Sequence, residues 1–163
     1  PLLRAQAQPV EDAEFGKPAL KQLVKTMFDI MKKEHAVGVA APQLGVSKQV
    51  IVFGTAYTKR RNLDVGIPNT VLINPKLTFL SEEKESGYEG CLNSGELMGR
   101  VPRSKEVEYS GFDLDGNPVT QRITGFEARV VQHEVDHLKG ILFFDRVEAD
   151  AELTTYTNVQ QTL

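Results

Sequence analysis

Residues 124–140 read Thr124-Gly125-Phe126-Glu127-Ala128-Arg129-Val130-Val131-Gln132-His133-Glu134-Val135-Asp136-His137-Leu138-Lys139-Gly140. The stretch predicts a single helix. Thr124 and Glu127 fit a capping box, and Gly140 is the residue type expected just past a helix C-terminus. Phe126, Val130, His133, His137 and Ile141 recur at spacings of three and four, which makes one apolar stripe. His133 and His137 lie one turn apart, so both imidazoles project from that stripe. Glu134 is rotated roughly 100° from His133 and can reach a water held between the histidines without itself being a ligand. Two neutral imidazoles on a buried apolar face leave polar atoms unsatisfied unless something binds them. The H-E-x-x-H pattern therefore points to a metal.

Two histidines are an incomplete ligand set. No His follows His137, and the carboxylates of Glu148, Asp150 and Glu152 stand close together in a polar tail that starts at about residue 147. The better third ligand lies upstream, in Glu89-Gly90-Cys91-Leu92-Asn93. There the only Cys of the chain sits among Gly87, Gly90 and Gly95, in a loop able to approach a metal closely. Taken alone, such a Cys is a small buried hydrophobe; the H-E-x-x-H elsewhere in the chain reverses that reading.

Around these residues, the chain of 163 residues fits one domain spanning 1–163. Apolar residues at 40% and charged residues at 25% exclude wholesale disorder. A net charge of −3 argues against nucleic-acid binding through overall charge. No apolar stretch has the length of a membrane span. One Cys allows no internal disulfide, and with no signal-peptide pattern at the start this predicts a reducing compartment. Residues 18–34 carry a helical pattern that opens with Pro18. A turn of small residues covers 35–45. Gln49–Phe53 and Val71–Asn74 read as strands, the second stopped by Pro75. Lys59-Arg60-Arg61 reads as a solvated loop. Val107 to Ile123 reads as a hairpin around Asp115-Gly116-Asn117-Pro118. Strands followed by one late helix argue for an α+β fold over a doubly wound sheet.

Gly38-Val39-Ala40-Ala41-Pro42-Gln43, Glu89-Gly90-Cys91-Leu92 and Gln132-His133-Glu134-Val135-Asp136-His137 resemble, in order, the three signature motifs of the peptide deformylases. The similarity extends from Pro1 to about Asp145. It implies antiparallel sheets surrounding a central helix that carries H-E-x-x-H. It also implies removal of the N-formyl group from the starting methionine of newly made polypeptides, with N-formylated nascent peptides as partners. Cys91, His133 and His137 would then hold one divalent metal with a fourth position open to water. Fe²⁺ is the native ion implied, with Zn²⁺, Ni²⁺ or Co²⁺ as substitutes. Glu134 would be the general base and acid, and the Gln43 amide and Leu92 N–H the donors to the developing oxyanion. Gly38, with Val37 beside it, would let the substrate lie alongside as an added strand, and Val130 would line the methionine pocket. Glu89 reads as an anchor of the Cys loop and Asp136 as a supporting or surface acid.

Three positions depart from the family pattern: Ala36, Asn93-Ser94-Gly95, and Arg129 in the pocket region, either solvent-directed or reaching the pocket. They bear on substrate range, and the alternative is a divergent deformylase-like hydrolase acting on another N-acyl peptide. An H-E-x-x-H endopeptidase lacks its downstream ligand here, and a non-enzymatic metal module gives no reason for Glu134. After Arg146 the chain has no Lys or Arg, so the tail does not suggest docking on ribosomal RNA.

Overall fold

The computed structural model describes residues 1–59, 66–151 and 153–162; Arg60, Arg61 and Glu152 lie outside them. The first helix, α1, spans Pro18–Lys33 and buries Leu20, Val24, Met27 and Met31, the stripe expected from its spacing. One sheet has five strands in the order β1 (Gly38–Ala40), β2 (Val50–Phe53), β3 (Thr70–Phe79), β6 (Glu106–Phe112) and β7 (Pro118–Thr124). The other has three, in the order β4 (Lys84–Gly90), β5 (Leu97–Ser104) and β8 (Thr154–Thr155). Every pairing between these strands is antiparallel. The architecture is α+β.

The helix α2 (Gly125–Leu138) contacts β1, β2, β5, β6 and β7, and thus members of both sheets. Every residue from Val130 to Leu138 is buried. A one-sided stripe therefore understates this helix, which is enclosed on all faces, so its polar residues need partners inside the protein. Its start also differs from the expected capping box. Thr124 makes no side-chain cap bond; strand β7 runs straight into the helix, and the Gly125 N–H donates to the Lys105 carbonyl at 3.2 Å.

Pro75 does not end its strand. β3 continues to Phe79 through a register shift between Ile73 and Lys76, the bulge at which a strand tolerates a residue without an N–H. Asn74 takes φ +51° there, and its amide both donates to and accepts from the Val10 backbone, at 2.9 and 2.8 Å. The hairpin of β6 and β7 turns on Asp113, whose carboxylate accepts the N–H groups of Asp115 and Asn117, both at 2.9 Å. The acidic tail is ordered onto β5: Thr154 and Thr155 pair with Met98 and Leu97, and the helix α3 (Tyr156–Thr162) follows.

Candidate metal centre

Cys91 ends β4 at a tight turn, Leu92–Ser94, that is closed by its own backbone and by Ser94. The Cys91 N–H donates to Ser94 Oγ at 3.0 Å, and the Ser94 hydroxyl donates to the Cys91 carbonyl at 2.8 Å. Gly95, within the departure Asn93-Ser94-Gly95, takes φ +65°, a conformation that a proline ring forbids. Across from this turn stands α2, which presents His133 and His137 from adjacent turns. The Sγ of Cys91 and the ring nitrogens of the two histidines lie within 4.8 Å of one another. No other such His/Cys/Asp/Glu group occurs among the described residues. Sγ stands 3.3 Å from His137 Nε2. A tetrahedral ion bound at roughly 2.3 Å from sulfur and roughly 2.0–2.1 Å from nitrogen fits such a cluster after small adjustments.

The second ring nitrogen of His133 is engaged: Nδ1 lies 2.7 Å from Glu89 Oε1, which turns Nε2 toward the cluster, the arrangement a ligating histidine needs. Glu89 in turn accepts two bonds from Arg103, at 2.9 and 2.8 Å, and one from Arg129 at 2.8 Å. Burial would raise its pKa, but the hydrogen bonds from Arg103 and His133 overcome this and hold it at about 2. Arg103 also bonds Asp136, which Arg146 grips from the other side at 2.8 Å. Glu89 and Asp136 are thus both anchors. The cation between them, Arg103, is the functional residue that sequence reasoning missed. Its strand also carries Arg100 and Ser104, so nothing in the local pattern singled it out.

Glu134 is buried beside the cluster, and its Oε2 has no partner, nor has His137 Nδ1. Burial pushes Glu134 up to about 7 against the opposing charge of His133. Burial and the His133 charge push His137 down to about 3. Burial would lower His133 as well, but its bonds to Cys91 and Glu89 raise it to about 10. An unpartnered carboxylate oxygen beside three soft or borderline ligands is a polar site built to receive something. Gly38 makes room for it: a Cβ there would stand 2.7 Å from Glu134 Oε1.

The cluster opens into a cleft of about 560 Å³ lined by Val37, Gly38, Gln43, Leu92, Phe126, Arg129, Val130, His133 and Glu134, among others. Every residue expected at the site lines this one cavity except His137, which joins it through the cluster with Cys91 and His133. Gln43 accepts the Ala40 N–H on Oε1 at 2.8 Å, which fixes its amide so that Nε2 faces Cys91 Sγ at 3.3 Å and Asn93 Oδ1 at 2.9 Å. Asn93, one of the departures, is thus a second residue, with Ala40, that holds Gln43 in place. His35 lies at the lip with its Nδ1 3.1 Å from the Tyr57 carbonyl and takes no part in the cluster. Of the alternative ligands, Glu148 is held by the Ser86 hydroxyl.

Arg129 is little exposed and is among the residues that line the cleft. Its guanidinium bonds Glu89 and the carbonyls of Glu85, Gly87 and Val101, pinning α2 to the hairpin of β4 and β5. Gly87 leaves the space for it, since a Cβ there would stand 2.9 Å from Arg129 Cζ. Gly87→Ala is expected to cost roughly 1–3 kcal/mol in urea denaturation. In an Arg129→Met background the cost should fall below half of that, a coupling a double-mutant cycle reads directly.

The sequence profile of the family described as polypeptide deformylase matches residues 1–152. Peptide deformylase 2 of Pseudomonas putida is 42% identical over 153 residues, which is 94% of this chain and 85% of the relative. Peptide deformylase 1 of Bordetella pertussis is 42% identical over 98% of this chain and 89% of its own length. Among solved structures, the class I type b peptide deformylase of Acinetobacter baumannii with Met-Ala-Ser bound superposes with a TM-score of 0.82 at 37% identity, covering 90% of this chain and 92% of that one. With the H-E-x-x-H helix between two antiparallel sheets and a Cys91, His133 and His137 cluster at its side, the chain belongs to the peptide deformylase family, enzymes that take the N-formyl group off new polypeptides.

Proposed function

We propose that Cys91, His133 and His137 hold one divalent cation, Fe²⁺ in the cell with Zn²⁺, Ni²⁺ or Co²⁺ as substitutes, and that the residues around it hydrolyse the formyl amide of an N-terminal formyl-methionine. The observation that carries this reading is the buried Glu134 carboxylate, whose Oε2 has no partner among the described residues and which lines the same cleft as Cys91 and His133. The ion, when bound, supplies a Lewis acid and lowers the pKa of water toward neutrality. Glu134 takes the proton of the attacking water on its carboxylate and passes it to the departing amine nitrogen, so that formate and a free methionine amine result. As the formyl carbon becomes tetrahedral, its oxygen gains charge; the donors assigned to it are the Leu92 N–H and the Gln43 amide, which gives up its bond to Asn93 to make this one.

Gly38 lies on β1, the outermost strand of its sheet, and an extended peptide can add to that edge through backbone hydrogen bonds. Val37 flanks this edge. The methionine side chain enters the apolar part of the cleft, against Val130, Phe126, Leu92 and the methylenes of Arg129. A ligating thiolate and Fe²⁺ are both damaged by oxidation, which suits a reducing compartment, a bacterial cytoplasm or an organellar matrix or stroma. Among the described residues no helix is long and apolar enough to cross a membrane.

Cys91→Ser tests the reading. Wild-type protein prepared without oxygen should carry about one divalent ion per chain and release formate from a formyl-Met peptide. The variant should lose most of both, because a neutral hydroxyl replaces an anionic sulfur ligand. A variant that keeps its metal and its turnover would place the third ligand elsewhere and sink the proposal.

A further inference from the structure

The helix α2 separates two cavities. Its Val130, His133 and Glu134 line the cleft of the metal centre. Its Gln132, Val135 and Asp136, with Lys139 at its end, line a second groove of about 690 Å³ that shares no lining residue with that cleft. Such a volume lies in the range of small-molecule sites. The opposite wall is the end of β3 and the residue after it, where Phe79 is 59% exposed and Leu80 40%. Phe79 is the most exposed of the large apolar side chains among the described residues. A lone exposed apolar residue needs no explanation, but two that wall a groove offer surface that a ligand can take out of water.

The groove is also positive, in a chain whose net charge is −3. Lys84, Arg103, Lys139 and Arg146 line it, against Glu82 and Asp136. Arg103 and Arg146 both pair with Asp136, so that carboxylate is compensated within the protein. Lys84 and Lys139 differ. Among the described residues, the lysines held in ion pairs are Lys25, Lys48 and Lys105. Two ammonium groups without a carboxylate partner therefore border the same groove as the uncovered Phe79.

We propose that this groove binds a small amphipathic anion, with a carboxylate paired to Lys84 and Lys139 and an aryl or aliphatic body laid on Phe79, Leu80 and Val135. The unpaired ammonium groups choose the sign of the charge, and the exposed apolar wall gains from being covered. None of Cys91, His133 and His137 lines the groove, so the site stands whether or not the cluster performs the chemistry proposed above. An occupant ties the C-terminal end of α2, at Lys139, to the end of β3 and so stabilises the helix that carries both histidines.

The test is an NMR titration of the zinc-loaded protein with 4-phenylbutyrate, and with 4-phenylbutylamine as the probe of opposite charge. Phenylbutyrate should bind with a Kd of about 1 mM or tighter, at least about tenfold tighter than the amine. It should shift the amide signals of Phe79, Leu80, Lys84 and Lys139. At about ten times Kd it should raise the melting temperature by about 3–6 °C. Lys84→Ala and Lys139→Ala should each weaken binding about two- to fivefold, Phe79→Ser by about fivefold, and the double variant Lys84→Glu/Lys139→Glu should abolish it. All three positions are exposed, so the variants keep the fold. Saturation with Met-Ala-Ser amide should leave the Kd within about twofold; displacement by that peptide would put the anion in the cleft and overturn the proposal. Equal affinity for the amine, or undiminished binding to the doubly reversed variant, would overturn it as well. Shifts of the same amides that grow with protein concentration and no added anion would make the occupant a second copy of the chain, against the proposal.

Discussion

Glu134→Ala removes roughly 10²–10⁴ from kcat for formate release, the usual contribution of a positioned acid–base group, and leaves the metal content as in the wild type. Glu134 is not among the three residues whose donor atoms cluster, so its loss withdraws no ligand. Its carboxylate is buried with one oxygen unpartnered, and such a group costs free energy in the folded state. The alanine variant should therefore melt at or above the wild-type temperature while being nearly inactive, a combination that a merely structural glutamate would not give. Glu134→Gln separates charge from shape. The amide fills the same space beside Gly38, cannot accept and return a proton, and should be as inactive as the alanine variant. Turnover of either variant within tenfold of wild type would remove Glu134 from the chemistry.

Arg103→Leu has the largest expected effect on stability. Arg103 is buried between Glu89 and Asp136, with about 5% of its side chain exposed, and it donates to both. Removing one partner of a buried ionic network leaves uncompensated charge, at roughly 3–5 kcal/mol. At roughly 2–4 °C per kcal/mol for a chain of this size, that lowers the melting temperature by about 6–20 °C. Asp136 retains Arg146 and Glu89 retains Arg129, so the fold survives at low temperature. What is lost there is the orientation of His133, whose Nδ1 rests on Glu89. Metal affinity should fall by about 10–100-fold, the range for losing such a supporting bond, which competition against a chelator measures. A leucine variant with wild-type melting and wild-type metal affinity would show that Arg103 carries neither role.

Much of this protein was legible as sequence because its decisive signals are local. Two histidines and a glutamate within five residues, bounded by a glycine stop, define the α2 helix and its chemistry through the 3.6-residue period alone. The hairpin of β6 and β7 is marked by its Asp-Gly-Asn-Pro turn. The pairing of Cys91 with the histidines was reachable through the resemblance, since 22 Asp and Glu residues leave many other candidate ligands in the chain. The places where expectation failed are those where a distant partner overrides a local rule. Pro75 should end a strand, yet Asn74 exchanges two hydrogen bonds with Val10, 64 residues away, and the strand continues through a bulge. Thr124 has the composition of a cap, yet the strand that feeds the helix makes a side-chain cap unnecessary.

Sequence by itself nominated the residues proposed to carry the chemistry: His133, Glu134 and His137 by type and spacing, and Cys91, Gln43, Leu92 and Gly38 through the motifs the chain shares with the family. Only the tertiary structure decided how those residues are held. That Glu89 gathers Arg103, Arg129 and His133, that Gly87 vacates the space for a guanidinium, and that an acidic tail returns to place Tyr156 at the cleft are contacts between residues 14 to 60 positions apart. The physical reason is one of range. Backbone periodicity and turn chemistry act over a few residues and leave their pattern in the chain. Burial, charge compensation and steric fit depend on which segments meet, and no single segment records its partner.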